Sequence, residues 1–109
     1  HFFNKEVFSS MKQECFFVNI GRGGIVNEED LVDALKNKVI VGAGLDVFET
    51  EPLPESSELW AMENVIITPH SSGFTTEYMN RFTEIFCRNL KAYVEGKDLP
   101  NLVDREKGY

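Results

Sequence analysis

Three short, unbroken apolar runs, each closed by a glycine, a proline or a charged residue, constrain this chain more than anything else in its sequence. Cys15-Phe16-Phe17-Val18-Asn19-Ile20 is aromatic and β-branched, has the length of a strand and stops at Gly21. Val39 to Val47 is the second run, softened by Gly42 and Gly44, and Val65-Ile66-Ile67-Thr68 is the third, stopped by Pro69. A helical pattern separates the first two. Asn27 offers an N-cap, Glu28, Glu29 and Asp30 put anionic groups in the first turn, and Leu31, Ala34 and Leu35 recur at helical spacing before Asn37 and Lys38. Strand, helix, strand with continuous rather than alternating apolar strands predicts a parallel sheet of about three strands, covered by helices on both faces. A chain of 109 residues holds one modest core and not two ordinary domains.

His1 to Met11 reads as a short helical turn with Val7, Phe8 and Met11 on one face. The connection between the second and third runs is mostly loop, with Pro52 and Pro54 in it and Leu59 and Trp60 as apolar anchors. The longest helix follows a cap at Thr75 or Thr76. Met79, Phe82, Phe86, Leu90 and Val94 form its stripe, expected to be core, and Gly96 terminates it. Leu99, Leu102 and Val103 make a small apolar knot in an otherwise polar tail. The first strand is unusually apolar, so we expect it to pair with something beyond these residues, because an open apolar edge invites association.

Charge and composition narrow the class of function. Eighteen acidic against 11 basic residues give a net charge of −7, a poor basis for neutralising phosphates, so no nucleic-acid partner is expected. No apolar run approaches the roughly 20 residues that span a bilayer, and His1 to Lys5 lack the cationic-then-apolar order of a signal peptide. At 42% hydrophobic and 27% charged residues the composition is that of a folded globular protein. Cys15 and Cys87 have no metal-binding spacing and suit buried free thiols in a reducing compartment, so no metal site and a cytoplasmic location are expected.

In a parallel sheet the carboxyl ends of the strands lie along one edge, and ligands bind in the crevice there. The first run leads to Arg22, the second to Asp46 and the third to His70, so three polar residues converge on one rim. Glu51 follows Asp46 in a proline-stiffened loop that can return it towards His70. A guanidinium, two carboxylates and an imidazole suit acid–base chemistry on an anionic substrate. Arginine holds a carboxylate by two parallel hydrogen bonds and stays charged. Histidine exchanges a proton near neutrality, and a neighbouring carboxylate fixes its tautomer. That pairing suits reduction of a ketone, where developing alkoxide charge must meet a proton. No side chain supplies a hydride, so a nicotinamide cofactor is required. On pattern alone Arg22 also fits a surface residue, His70 a cap for the last helix and Glu51 a solvated loop charge, while Trp60 and the phenylalanine-rich helix fit the core and His1 is incidental. Asp46 is harder to dismiss, since a carboxylate closing an apolar strand needs partners or water.

Gly42-Ala43-Gly44 opens like the dinucleotide fingerprint G-x-G-x-x-G, but Val47 stands where the third glycine belongs. Gly21 and Gly23 fail in the same way at Val26. The pyrophosphate-binding turn is not in this sequence.

Together, Phe17-Val18-Asn19-Ile20-Gly21-Arg22-Gly23-Gly24, Gly42-Ala43-Gly44-Leu45-Asp46-Val47-Phe48-Glu49, Glu51-Pro52-Leu53-Pro54, Leu59-Trp60, Asn64-Val65 and Thr68-Pro69-His70 strongly resemble the D-isomer-specific 2-hydroxyacid dehydrogenases. The resemblance implies a partial Rossmann-type sheet. Residues 1–96 would be the second half of a dinucleotide-binding domain, and residues 97–109 a tail returning towards a substrate domain. It implies that Arg22 grips the substrate carboxylate and carbonyl, that His70 is the acid/base and Glu51 its partner, and that Asp46 faces the nicotinamide carboxamide. Ile20, Gly21 and Arg22 would line the nicotinamide end of the cofactor beside His70, with Ser72 or Gly73 completing it. The cofactor would be NAD, with NADP left open, and the substrate pair a 2-keto acid and its D-2-hydroxy acid. Ser71-Ser72-Gly73-Phe74 departs from the family's commonest small-residue version, which bears on substrate choice. A homodimer is expected, and little or no turnover from these 109 residues alone. The alternative is a non-catalytic NAD(H)-sensing interaction module, similar to the C-terminal-binding protein corepressors.

Overall fold

The computed structural model describes residues 1–107, which divide into two compact units, His1–Ser72 and the residues from Gly73 onward. In the first unit β1 (Phe16–Asn19), β2 (Gly42–Leu45) and β3 (Val65–Ile67) pair in parallel in the order β1-β2-β3. Phe17 lies opposite Ala43, and Ala43 opposite Val65. The ladder runs past the assigned ends, since the Asp46 N–H donates to Asn19 O at 3.0 Å and the Thr68 N–H to Leu45 O at 2.9 Å. Thus β2 is shorter than its apolar run. The Val39 N–H is spent on Ala34 O at the end of the preceding helix, and Val39 and Ile40 serve the core rather than the sheet.

Helix α1 (Lys5–Ser10) starts where Asn4 Oδ1 accepts from the Val7 N–H at 3.1 Å, and α2 (Glu28–Lys36) where Asn27 Oδ1 accepts from the Asp30 N–H at 3.0 Å. Both helices lay apolar residues on one face of the sheet. Phe8, Leu31, Ile40 and Leu59 are at most 1% exposed, and each such side chain contributes about 1.5–3 kcal/mol on burial. Phe17 meets Phe8 and Phe3 edge-on, with ring centroids 5.4 and 5.0 Å away.

The other face departs from expectation. Phe16, Val18 and Ile66 point outward and are 64–72% exposed, so within this unit the sheet is covered on one face only. Leu59 is a buried anchor, but Trp60 is exposed and ties its Nε1–H to Pro54 O at 3.0 Å.

In the second unit, α3 (Tyr78–Val94) begins after Glu77 without a side-chain cap; Thr75 contributes its carbonyl to the Tyr78 N–H instead of its hydroxyl. Gly96, at φ +66°, ends the helix as expected. The stripe Met79, Phe82, Phe86, Leu90 and Val94 is exposed, and Cys87 with it, so neither is core; Ala92 is the buried residue of this helix. Helical spacing establishes which side of a helix is apolar and not what lies against it. Leu102 and Val103 are likewise exposed, while Leu99 is half-buried. The last positions of the tail, 108 and 109, lie outside the described residues.

Candidate active site

The carboxyl end of β1 is fixed by Asn19, a residue the sequence pattern passed over. It is 4% exposed; its Oδ1 accepts from the Gly21 N–H at 3.1 Å and its Nδ2 donates to Arg22 O at 3.2 Å. A polar residue at an inward position of an apolar strand was the available signal. Next comes Gly23, where an added Cβ would lie 1.8 Å from Phe48 O, so only glycine lets this turn rest on the loop after β2. Arg22 itself is exposed, with extended backbone, and its Nη1 donates to Gly21 O at 2.7 Å. Ile20 and Gly21 are exposed beside it.

Asp46 closes β2 at 2% exposure, and its oxygens are taken up by the segment around His70. Oδ1 accepts from the Thr68 hydroxyl and from the Ser71 N–H at 2.8 Å, and Oδ2 from the Ser72 N–H at 2.9 Å. The Thr68 hydrogen bond, ahead of burial that opposes it and of the Ser71 and Ser72 bonds, holds the Asp46 carboxyl well below the usual carboxylate range. Thr68 and Ser71 were not foreseen as participants, since a hydroxyl and a backbone amide carry little signal in a sequence. Between them His70 has φ +51°, a left-handed conformation uncommon outside glycine and one that persists only where surrounding structure imposes it.

Glu51 returns from its loop as its spacing suggested. Its Oε2 lies 2.7 Å from His70 Nδ1, and its Oε1 accepts from the Phe48 N–H at 3.0 Å. The His70 hydrogen bond, then that of Phe48, lowers the Glu51 carboxyl, with the charge of Arg22 the smallest of the named contributions. An ionised carboxylate only accepts, so Nδ1 carries the proton and Nε2 is left to face a ligand. The following Glu51–Pro52 peptide is cis. A cavity of about 600 Å³ is lined by His70, Glu51, Asp46 and Thr68 together with the apolar Phe48, Leu53 and Trp60.

The structure therefore brings Glu51 and His70 into contact and ties Asp46 and Ser72 to the His70 turn, whereas Arg22 is not among the residues lining the cavity and its guanidinium bonds to its own turn at Gly21. Gly73 belongs to the second unit, and a Cβ added there would meet open space. Exposed Ile20 and Gly21 fit the flat, largely apolar ring of a nicotinamide. Asp46, 2% exposed, spends its oxygens on Thr68, Ser71 and Ser72. Among the described residues no His, Cys, Asp and Glu are grouped to hold a metal ion.

Residues 1–72 match the family model described as the D-isomer specific 2-hydroxyacid dehydrogenase, NAD binding domain. A glyoxylate reductase of Thermofilum pendens is 42% identical over 106 residues, covering 97% of this chain and 31% of that protein. One from Pyrococcus furiosus is 43% identical over 103 residues, covering 94% and 30%. A solved D-isomer specific 2-hydroxyacid dehydrogenase of Xanthobacter autotrophicus Py2, in complex with NADPH and MES, superposes with a TM-score of 0.91 at 36% identity, over 99% of this chain and 44% of that one. An NADPH-dependent glyoxylate/hydroxypyruvate reductase of Sinorhizobium meliloti, in complex with NADP and sulfate, gives 0.87 at 33% identity, over 98% and 35%. The chain spans about a third of the length of the curated relatives it matches.

Proposed function

Because the chain belongs to the D-isomer specific 2-hydroxyacid dehydrogenases, we propose that the protein reduces a small 2-oxo acid to its D-2-hydroxy acid with NAD(P)H. The contact between His70 and Glu51, at the carboxyl ends of the parallel strands and within reach of the Arg22 charge, carries this proposal. Residues 1–96 serve as the second half of a dinucleotide-binding domain and residues 97–109 run back towards the substrate domain.

Arg22 binds the substrate carboxylate through its guanidinium and draws electron density from the adjacent carbonyl. His70 gives its Nε2 proton to the carbonyl oxygen as C2 is reduced, so the alkoxide never accumulates. Glu51 keeps the ring oriented through Nδ1 and offsets the positive charge the ring carries before transfer. Afterwards the ring is neutral, with Nδ1–H still on Glu51. Ile20, Gly21, Asp46 and Ser72 would hold the nicotinamide end of the cofactor, which would supply the hydride when bound. Oxidation of the hydroxy acid runs the same proton path backwards.

The names of the relatives, glyoxylate reductase and glyoxylate/hydroxypyruvate reductase, favour short, polar 2-oxo acids as substrates. The two free cysteines suit the reducing cytoplasm. The uncovered apolar side chains of the sheet and of α3 supply surface for a homodimer. The test is reduction of glyoxylate and hydroxypyruvate by the full-length gene product and its His70→Ala variant. The variant is expected to lose at least about a hundredfold in kcat while cofactor affinity is kept. Retention of most activity would remove His70 from the mechanism.

A further inference from the structure

Glu28, the first residue of α2, and Glu49, in the loop after β2, cap each other's backbones. The Glu28 N–H donates to Glu49 Oε1 at 2.9 Å, and the Glu49 N–H donates to Glu28 Oε2 at 3.2 Å. His1 Nε2 also approaches Glu49 Oε1, at 3.1 Å. Two facing carboxylates are not an arrangement that charge favours. Burial first, and the Glu49 charge in the same direction against the hydrogen bond from the Glu49 backbone, raise the Glu28 carboxyl. Nor does the helix need the pair to start, since Asn27 already caps it.

The pair joins the two segments that carry the site. Arg22 lies on the turn that leads into α2, and Glu51 lies on the loop that leaves β2. Between them the Gly23 backbone rests against Phe48 O, where a Cβ would approach to 1.8 Å. The Phe48 N–H in turn holds Glu51 Oε1. Backbone packing at Gly23 sets how near the two segments come. The reciprocal hydrogen bonds tie the two segments at a second point.

We propose that Glu28 and Glu49 are positioning residues, a two-bond latch that fixes the Arg22 turn relative to the Glu51–His70 pair. The inference rests on the functional reading above only in taking Arg22 and His70 to act on one substrate.

Two variants of Glu28 in the full-length gene product separate the hydrogen bond from the charge. Glu28→Gln keeps an oxygen that accepts the Glu49 N–H, whereas Glu28→Ala does not, and both remove the negative charge. With Glu28→Ala the KM for the 2-oxo acid is expected to rise about tenfold while the cofactor KM stays within about twofold, since a small displacement of a clamp weakens the substrate it orients. The proton NMR signal of the His70 Nδ1–H is expected to broaden into solvent exchange in the same variant. Glu28→Gln is expected to match wild type in both measurements. Equal behaviour of the two variants, or a Glu28→Ala protein identical to wild type, would overturn the latch. Should Glu28→Ala not fold, Glu49→Ala removes the reciprocal bond and is judged by the same criteria. A wild-type protein inactive on every 2-oxo acid would overturn the dehydrogenase proposal instead, and the Nδ1–H signal would still decide the latch.

Discussion

Asp46 accepts hydrogen bonds from Thr68, Ser71 and Ser72, the residues that flank His70, and so holds the imidazole in a backbone conformation it would not otherwise adopt. The cost of stabilising that conformation shows in acid. Asp46 and Glu51 both have carboxyls lowered from ordinary values of 3.8 and 4.5. The unfolded chain therefore takes up protons first as pH falls, and the stability these groups contribute is complete above the ordinary carboxylate range and is lost as pH drops through the folded values. Wild-type thermal or urea midpoints should accordingly fall below the ordinary carboxylate range. Asp46→Asn should be less stable at neutral pH and show a shallower acid decline, because an amide offers one acceptor where the carboxylate offers two. An Asn variant with wild-type stability and the same acid profile would show that these bonds contribute nothing. The contact of Glu51 with His70 and the bonding of Asp46 to the His70 turn were legible because each of the three stands at a strand end or in a short loop beyond one. Asn19 was not, since an amide inside an apolar run reads as a blemish until its two bonds to the Arg22 turn are seen.

The elements were readable as types, and their bounds depended on hydrogen-bond partners that no single residue announces. Asn27 caps α2 where the acidic first turn predicted it. Replacing it with Ala should cost about 1 kcal/mol in a urea titration. The apolar run of β2 overran its strand because Ile40 is buried in the core and Val39 packs half-buried against it. The turn after β1 depends on contact. Gly23→Ala places its Cβ 1.8 Å from a backbone oxygen and should unfold the protein or displace the Glu51 loop, whereas at Gly24 nothing lies within 4 Å and the same change should stay within about 0.5 kcal/mol of wild type. Equal effects at the two glycines would refute the close packing of turn and loop. The hydroxyls of Thr75 and Thr76 looked like caps, yet Glu77 precedes the helix and the Thr75 carbonyl does the bonding.

At the scale of the molecule, the least legible matter was what covers the apolar faces. One side of the sheet and the stripe of α3 are exposed, although both read as core, because periodicity marks a face without naming its partner. Such surface predicts that the 109 residues expressed alone associate as concentration rises, to be read by light scattering; a monomer at all concentrations would contradict it. The relatives carry reductase names, so the cofactor-sensing alternative gains no support from them. The account stands on one arrangement, in which Arg22 and His70 address the same small acid. The most direct measurement is a crystal structure of the full-length protein with cofactor and a non-reducible 2-oxo acid analogue. The analogue's carboxylate should lie on the Arg22 guanidinium and its second oxygen about 3 Å from His70 Nε2. An analogue bound away from Arg22, or an Nε2 turned from it, would contradict the account.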